Sequence, residues 1–536
     1  MEIWEDKVVL GIKNERIGRD KVPSLHHVRV KPLNRILKFA VINIALVVLV
    51  HGSNSITRDD FPPGFVFGAG SSAYQVEGAS NKDGRSPSIW DTFAHAGRMH
   101  GDTGDVACDE YHKYKEDVQL MVDTGIDAYR FSISWSRIIP NGRGAINQKG
   151  LQYYNNLINE LISNEIQPHV TLHHHDLPQV FENEYGGWIS RKIVKDFTAY
   201  ADVCFREFGD RVKYWTTVNE ANVFALGGYG SGSLPPGRCS ADNCSAGNSS
   251  IEPYLATHHI LLAHASAARL YERRYKDKQH GFIGINILQF WFVPNTDGTE
   301  DEIATQRAKD FYIGWYLNPL IFGDYPEIMK KNVGSRFPAF TSLESETIKG
   351  SFDFIGVNYY YPVHVKDNSS SLKLEIRDFF ADAGVKLIPV LNESAYELVQ
   401  FPITPNGLVG ILEDMKQNYG NPLTYIHENG QRTRRNSSLE DWPRVKYLDA
   451  YIQSLLEAVR NGSNVKGYFE WSLLDAFELL DGYESSYGLY YIDLDDPDLV
   501  RQPKLSAHWY SHFLKAKRSF SSVGLIKSLP YDYFSH

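Results

Sequence analysis

At 536 residues, with 43% apolar and 22% charged residues, the chain has the composition of a soluble globular protein, long enough for one large domain or two to three average ones. A net charge of −10 and a pI near 6.0 argue against a polyanionic partner. No basic stripe with interleaved aromatics occurs either, so nucleic-acid binding is not expected. Aromatic residues reach 13%, which suits stacking on sugar rings as well as core filling.

In chain order, the first 55 residues read differently from the rest. Lys31, Arg35 and Lys38 precede an apolar run from Phe39 to Val50, broken by Asn43, and the small and polar residues His51 to Ser55 follow. A basic flank, a short apolar run and a small-residue exit fit a signal peptide, although the extension Met1 to Val30 in front of it does not belong to that pattern. The run is short against the ~20 residues a membrane span needs, so no stable span is expected. Residues 1–55 therefore read as an N-terminal extension, 56–520 as the folded domain and 521–536 as a tail.

Beyond the extension, short β-branched or aromatic runs alternate with longer helical patterns. Strands are predicted at Phe65–Ala69, Ala128–Ser134, Gln167–Leu172, Val212–Val218, Phe282–Leu288, Phe352–Val357, Leu423–His427 and Val465–Glu470. Amphipathic helices are predicted at Lys149–Ser163, Ile189–Phe208, Tyr254–Tyr275 and Lys446–Asn461. This alternation implies βα units and parallel strands. A doubly wound sheet would show the same alternation, but no strand-to-helix Gly-rich fingerprint supports one. The strand count favours an α/β fold, a single (β/α)8 TIM barrel with loop insertions.

Polar and aromatic residues collect where the strands end. His173-His174-His175-Asp176 follows the third strand, Asn219-Glu220 the fourth, Asn358-Tyr359-Tyr360 the sixth, Glu428-Asn429 the seventh and Trp471 the eighth. Chemistry at the carboxyl ends of strands is what a barrel's active face requires. Taken singly, Glu220 has a plainer reading as a helix cap, and Glu428-Asn429-Gly430 as a turn. As a pair on strands four and seven they face one another across the mouth. Two carboxylates so placed flank a glycosidic bond, and a separation near ~5.5 Å makes such an enzyme retaining. Adjacent strand residues point to opposite faces, so the three histidines are a poor metal site, and neither metal nor cofactor is expected.

Secretion would fit two further features. Asn243, Asn248, Asn368, Asn392, Asn436 and Asn461 each open an Asn-x-Ser glycosylation acceptor. Cys239 and Cys244 sit five apart in a Gly/Pro/Ser-rich stretch and read as a loop-closing disulfide. Cys108 and Cys204 read as buried thiols.

Ordered motifs run through the chain: Phe-Gly-Ala-Gly-Ser-Ser-Ala-Tyr-Gln-Val-Glu-Gly at 67–78, Tyr-Arg-Phe-Ser-Ile-Ser-Trp-Ser-Arg at 129–137, Thr-Val-Asn-Glu at 217–220, Gly-Val-Asn-Tyr-Tyr at 356–360, Glu-Asn-Gly at 428–430 and Trp-Ser-Leu-Leu-Asp at 471–475. In these, the sequence resembles glycoside hydrolase family 1, in its plant β-glucosidase branch, from about Phe61 to Leu514. The resemblance implies Glu220 as acid/base and Glu428 as nucleophile. It places Gln75, His174, Asn219, Trp471 and Glu478 around the sugar of the innermost subsite, and Arg130 and Tyr360 beside the nucleophile. Leu479 and Tyr487 complete the substrate-binding positions. Gln75 and Glu478 suit a bidentate grip on adjacent hydroxyls, and Asn219 a bond to the 2-hydroxyl. Arg130 and Tyr360 would keep Glu428 ionised, and that charge would raise the pKa of Glu220. The small-molecule partner implied is a β-D-glucoside, and the implied location is the secretory pathway, ending in the apoplast or the vacuole.

Four positions depart from the family pattern: His175 where many relatives have Trp, Ala221 where Pro is usual, His427 where Thr is usual, and Leu479 where Trp is usual. Both glutamates survive, so the departures bear on substrate and not on mechanism. A His-Glu-Asn-Gly motif also resembles a plant branch that includes acyl-glucose-dependent glucosyltransferases and a hydroxyisourate hydrolase. Both activities are alternatives on the same site, whereas a non-catalytic lectin is disfavoured by the two glutamates.

Overall fold

A computed structural model describes residues 56–389 and 400–516. The signal-peptide-like segment, the 521–536 tail and the Asn392 acceptor lie outside the described residues. The eight predicted strands form, each within two residues of its expected ends: β1 (Val66–Gly70), β2 (Ala128–Ser132), β3 (Gln167–His173), β4 (Tyr214–Val218), β5 (Phe282–Leu288), β6 (Phe354–Asn358), β7 (Thr424–Asn429) and β8 (Val465–Glu470). All pair in parallel, each with its neighbours in sequence, and β8 closes onto β1. The fold is thus a (β/α)8 barrel.

Helices cover the outside of the barrel because their apolar residues recur at helical spacing. In α2 (Gln148–Ser163) the buried residues are Gly150, Tyr153, Tyr154, Leu157, Ile158 and Leu161, one face of a 3.6-residue period. Fully burying a side chain such as Leu157 contributes ~1.5–3 kcal/mol, so this face alone anchors the helix. The other long helices are α1 (Glu110–Thr124), α3 (Lys192–Phe208), α4 (Glu252–Arg274), α5 (Asn406–Asn418), α6 (Trp442–Arg460) and α7 (Leu505–Lys515), of which α4 is buried on nearly every side from Ala256 to Ala265. One helical expectation is corrected: the segment expected from Ile189 begins as a separate turn, Gly187–Ile189, and α3 proper starts at Lys192. Between them Ser190 is extended, with φ of −106° and ψ of 133°, which breaks the helical run.

The barrel axis is filled from below by Ala128, Phe354, Tyr425 and Phe469, with His169 stacked on Tyr214 at 4.3 Å. Above this plug the axis opens into the site. Among the elements not foreseen in the sequence is a small sheet of Trp291–Pro294, Pro362–Asp367 and Val385–Pro389 beside the barrel. Cys239 and Cys244 are disulfide-bonded, while Cys108 and Cys204 are free and buried. Among the described residues no helix is long and apolar enough to cross a membrane.

Candidate active site

At the carboxyl ends of the strands lies a cavity of about 210 Å³. Gln75, His174, Glu220, Tyr360, Glu428, Trp471, Glu478, Leu479 and Tyr487 line it. Arg130 and Asn219 stand buried behind that lining. The site residues expected from the sequence are therefore gathered in one place.

Glu428 reaches the cavity through an irregularity of β7. Tyr425 and His427 both point to the barrel axis, so strict alternation would turn Glu428 outward to the helices. The register of β7 against β6 shifts between Ile426 and Glu428, and against β8 between Ile426 and Asn429. This bulge brings His427 and Glu428 to the same side. Gly430 completes the turn away, because a Cβ there would meet the Trp471 carbonyl oxygen at 1.8 Å.

Glu428 is held from two sides. Arg130 Nη1 donates to Oε1 at 2.7 Å, and the Tyr360 hydroxyl donates to Oε2 at 2.8 Å. Arg130 Nη2 donates to Asn219 Oδ1 at 2.5 Å, and the Asn219 amide donates to His174 Nε2 at 2.9 Å. Asn358 Nδ2 bridges to Asn219 Oδ1 at 3.3 Å and to Glu220 Oε1 at 2.9 Å. One hydrogen-bonded chain thus runs from Glu428 through Arg130, Asn219 and Asn358 to Glu220.

Glu220 follows β4 with φ of 39°, in the left-handed region. Its side chain makes no cap on the following helix, so the plainer reading is not what the structure shows. Asn286 Oδ1 accepts its backbone N–H at 3.0 Å, and His175 Nε2–H donates to the Asn219 carbonyl at 3.1 Å. These two bonds hold the peptide that leads into Glu220 and so fix an unfavourable conformation. Burial, and then the charge of Glu428, pushes the Glu220 carboxyl up to about 8. The sequence argument had named the Glu428 charge; burial is the larger cause.

Gln75 is oriented by Ser72, whose hydroxyl donates to Oε1 at 2.7 Å, and its own Nε2 donates to the Phe477 carbonyl at 2.8 Å. Glu478 Oε1 is buried without a protein partner, and burial raises its carboxyl well above the usual range. His174 stacks on Trp471, with ring centroids 5.8 Å apart. The histidine triplet departs from simple alternation, since β3 ends at His173 and both His174 and His175 line the cavity. His173 packs instead against Trp188 and Phe224. Among the described residues no group of His, Cys, Asp or Glu is placed to hold a metal ion.

Sequence reasoning missed several residues. Asn286 is the polar interruption of the apolar run Phe-Ile-Gly-Ile-Asn-Ile-Leu, a signal that was readable. Gln431, Arg432 and Phe401 carry none, since their role depends on loops meeting in space. His427 lies inside the barrel between Phe354 and Phe469, where Gly356 leaves it room: a Cβ at Gly356 would lie 2.3 Å from His427 Nδ1. Burial holds its imidazole neutral.

The family model of glycosyl hydrolase family 1 matches residues 57–519, and the chain belongs to that family. It is a glycoside hydrolase. Beta-glucosidase 11 of Arabidopsis thaliana is 59% identical over 88% of this chain and 95% of its own. A hydroxyisourate hydrolase of Glycine max is also 59% identical, over 90% of this chain and 87% of its own. A rice β-glucosidase of solved structure, Os3BGlu6, is 45% identical with a TM-score of 0.83, covering 86% of this chain and 100% of its own.

Proposed function

We propose that the chain is a retaining β-glucosidase in which Glu428 is the nucleophile and Glu220 the acid/base. The observation that carries the reading is the contrast between the two carboxyls. Glu428 is fixed between Arg130 and Tyr360, while Glu220 is raised to about 8. One carboxyl gripped by two donors and the other buried and raised suit the nucleophile and the acid of a double displacement. The Glu428 carboxylate attacks the anomeric carbon as Glu220 gives its proton to the departing glycosidic oxygen. Glu220, now ionised, takes a proton from the water that attacks the glucosyl ester, and Glu428 leaves. A variant of the rice relative is known in a covalent complex with Glc, which supports the same intermediate here. Gln75, His174, Asn219, Trp471 and Glu478 hold the glucose, with Leu479 and Tyr487 beside them.

The test is covalent trapping. A 2-deoxy-2-fluoroglucoside with a good leaving group is expected to add one fluoroglucosyl mass, located on the peptide bearing Glu428. Label on another residue, or none, would refute the assignment. Glu428→Gln is expected to remove turnover while keeping the fold, since no other group forms the ester.

Hydroxyisourate hydrolysis is the second reading, favoured by the 59% identity of the soybean enzyme. Transfer of glucose to a phenolic acceptor is a third, supported by a Delphinium acyl-glucose-dependent glucosyltransferase that is 53% identical. Parallel assays with an aryl glucoside, with and without acceptor, and with hydroxyisourate separate the three. We also propose entry into the secretory pathway and glycosylation at the exposed Asn243, Asn248, Asn368, Asn436 and Asn461.

A further inference from the structure

We propose that Arg432 makes the outer half of the cavity selective for an aromatic aglycone bearing a carbonyl oxygen; the proposal rests on the β-glucosidase reading of the inner half. The segment that leaves β7 builds this outer half with two successive residues. The buried Gln431 side chain accepts the Phe401 backbone N–H at 2.8 Å and donates to the Phe401 carbonyl at 2.9 Å. Two bonds to one residue fix its ring, which lies 4.8 Å from the Tyr361 ring and 5.6 Å from that of Tyr360. Phe290 extends this wall, 5.7 Å from Tyr361. Leu479 and Leu480 face it across the mouth, Leu480 being 73% exposed. A flat unsaturated group suits walls of this kind.

Among the described residues lining the cavity, Arg432 is the one permanent cation. Its Nη2 pairs with Asp481 Oδ2 at 2.6 Å, while its Nε is buried without a partner. A guanidinium has five N–H donors in a fixed plane, so the pairing with Asp481 leaves donors for a ligand oxygen. That oxygen is a neutral carbonyl rather than a carboxylate. Asp481 already offsets the charge of Arg432, and Glu428 that of Arg130, so no cation in the cavity is left to balance a ligand anion.

The experiment compares kcat/KM for 4-acetylphenyl and 4-trifluoromethylphenyl β-glucosides, leaving groups of comparable acidity of which only the first has a carbonyl. The wild-type protein is expected to favour the acetyl substrate by about tenfold, the scale of a charge-assisted hydrogen bond. Arg432→Met should bring the ratio close to one, and Arg432→Lys should restore part of it. Because Arg432→Met leaves Asp481 unpaired, the double variant Arg432→Met/Asp481→Asn is measured too and should lose the preference equally. The same ratio in wild type and Arg432→Met overturns the proposal, as does recovery of the preference in the double variant. A 4-carboxyphenyl glucoside turned over faster than the acetyl one would also overturn it. Failure of the wild type to hydrolyse any of these glucosides strikes the β-glucosidase reading instead.

Discussion

Arg130 Nη1 stands 2.7 Å from Glu428 Oε1, and both side chains are almost completely enclosed, with 1% and 5% exposure. Removing one partner of such a pair leaves a buried charge uncompensated and costs ~3–5 kcal/mol. Arg130→Gln should therefore lower both melting temperature and turnover, the latter by about a hundredfold or more. Arg130→Lys keeps the charge but lacks the second arm that reaches Asn219, and should fall between. Thermal denaturation and kcat on an activated aryl glucoside check both effects; wild-type turnover in Arg130→Gln would contradict this account.

The Glu220 carboxyl sits near 8 because it is buried and faces Glu428. It is protonated below that value, so the acid step fails as pH rises through it. The alkaline limb of kcat/KM is expected near pH 8. Glu428→Gln removes the smaller cause, so the Glu220 pKa should fall in that variant yet stay above the ordinary carboxylate range. Carboxyl-labelled NMR titration reads this directly. The folded state binds a proton that the unfolded chain releases at ordinary carboxylate pKa, so folding loses stability as pH rises from there toward 8. Glu220→Gln should accordingly raise the melting temperature at neutral pH.

Glu220→Ala should hurt glucosides with poor leaving groups far more than activated ones, since only the former need the proton. Azide attacks the glucosyl ester without base help and should restore turnover of the activated substrate, releasing β-glucosyl azide. Equal losses on both substrate types would count against the role.

Leu479 lines the cavity and packs on the Phe477 cluster, where its side chain offers the sugar no donor. A Trp brings an indole N–H and a flat face. Leu479→Trp is expected to raise kcat/KM on a simple aryl glucoside several-fold, in line with about 1 kcal/mol for one hydrogen bond. A glucose-like transition-state analogue should bind more tightly as well. Unchanged or lower glucoside turnover would show that this position serves another substrate, and hydroxyisourate or an acyl-glucose donor would move ahead.

The barrel was legible because short β-branched or aromatic runs recur between helical patterns, several of them ending in polar residues, as in Val-Asn-Glu at 218–220. The pairing of Glu220 with Glu428 followed from strand count. Other features depend on contacts that no local pattern carries. The left-handed backbone of Glu220 is fixed by Asn286, 66 residues away, and the packing of His427 depends on a missing side chain at Gly356. The order of causes at Glu220 was also hidden, since burial is a property of the whole fold.

The bulge in β7 has a consequence for protein engineering. A glutamate transplanted onto the corresponding height of a regular barrel strand would face the surrounding helices and do nothing. The smallest portable unit is the segment from Ile426 to Gly430, together with a glycine on the adjoining strand to admit His427. Conversely, shortening β7 by one residue ahead of Glu428 would erase activity with the glutamate still present. Directed-evolution libraries built on this scaffold should hold those five positions constant and vary the outer loops.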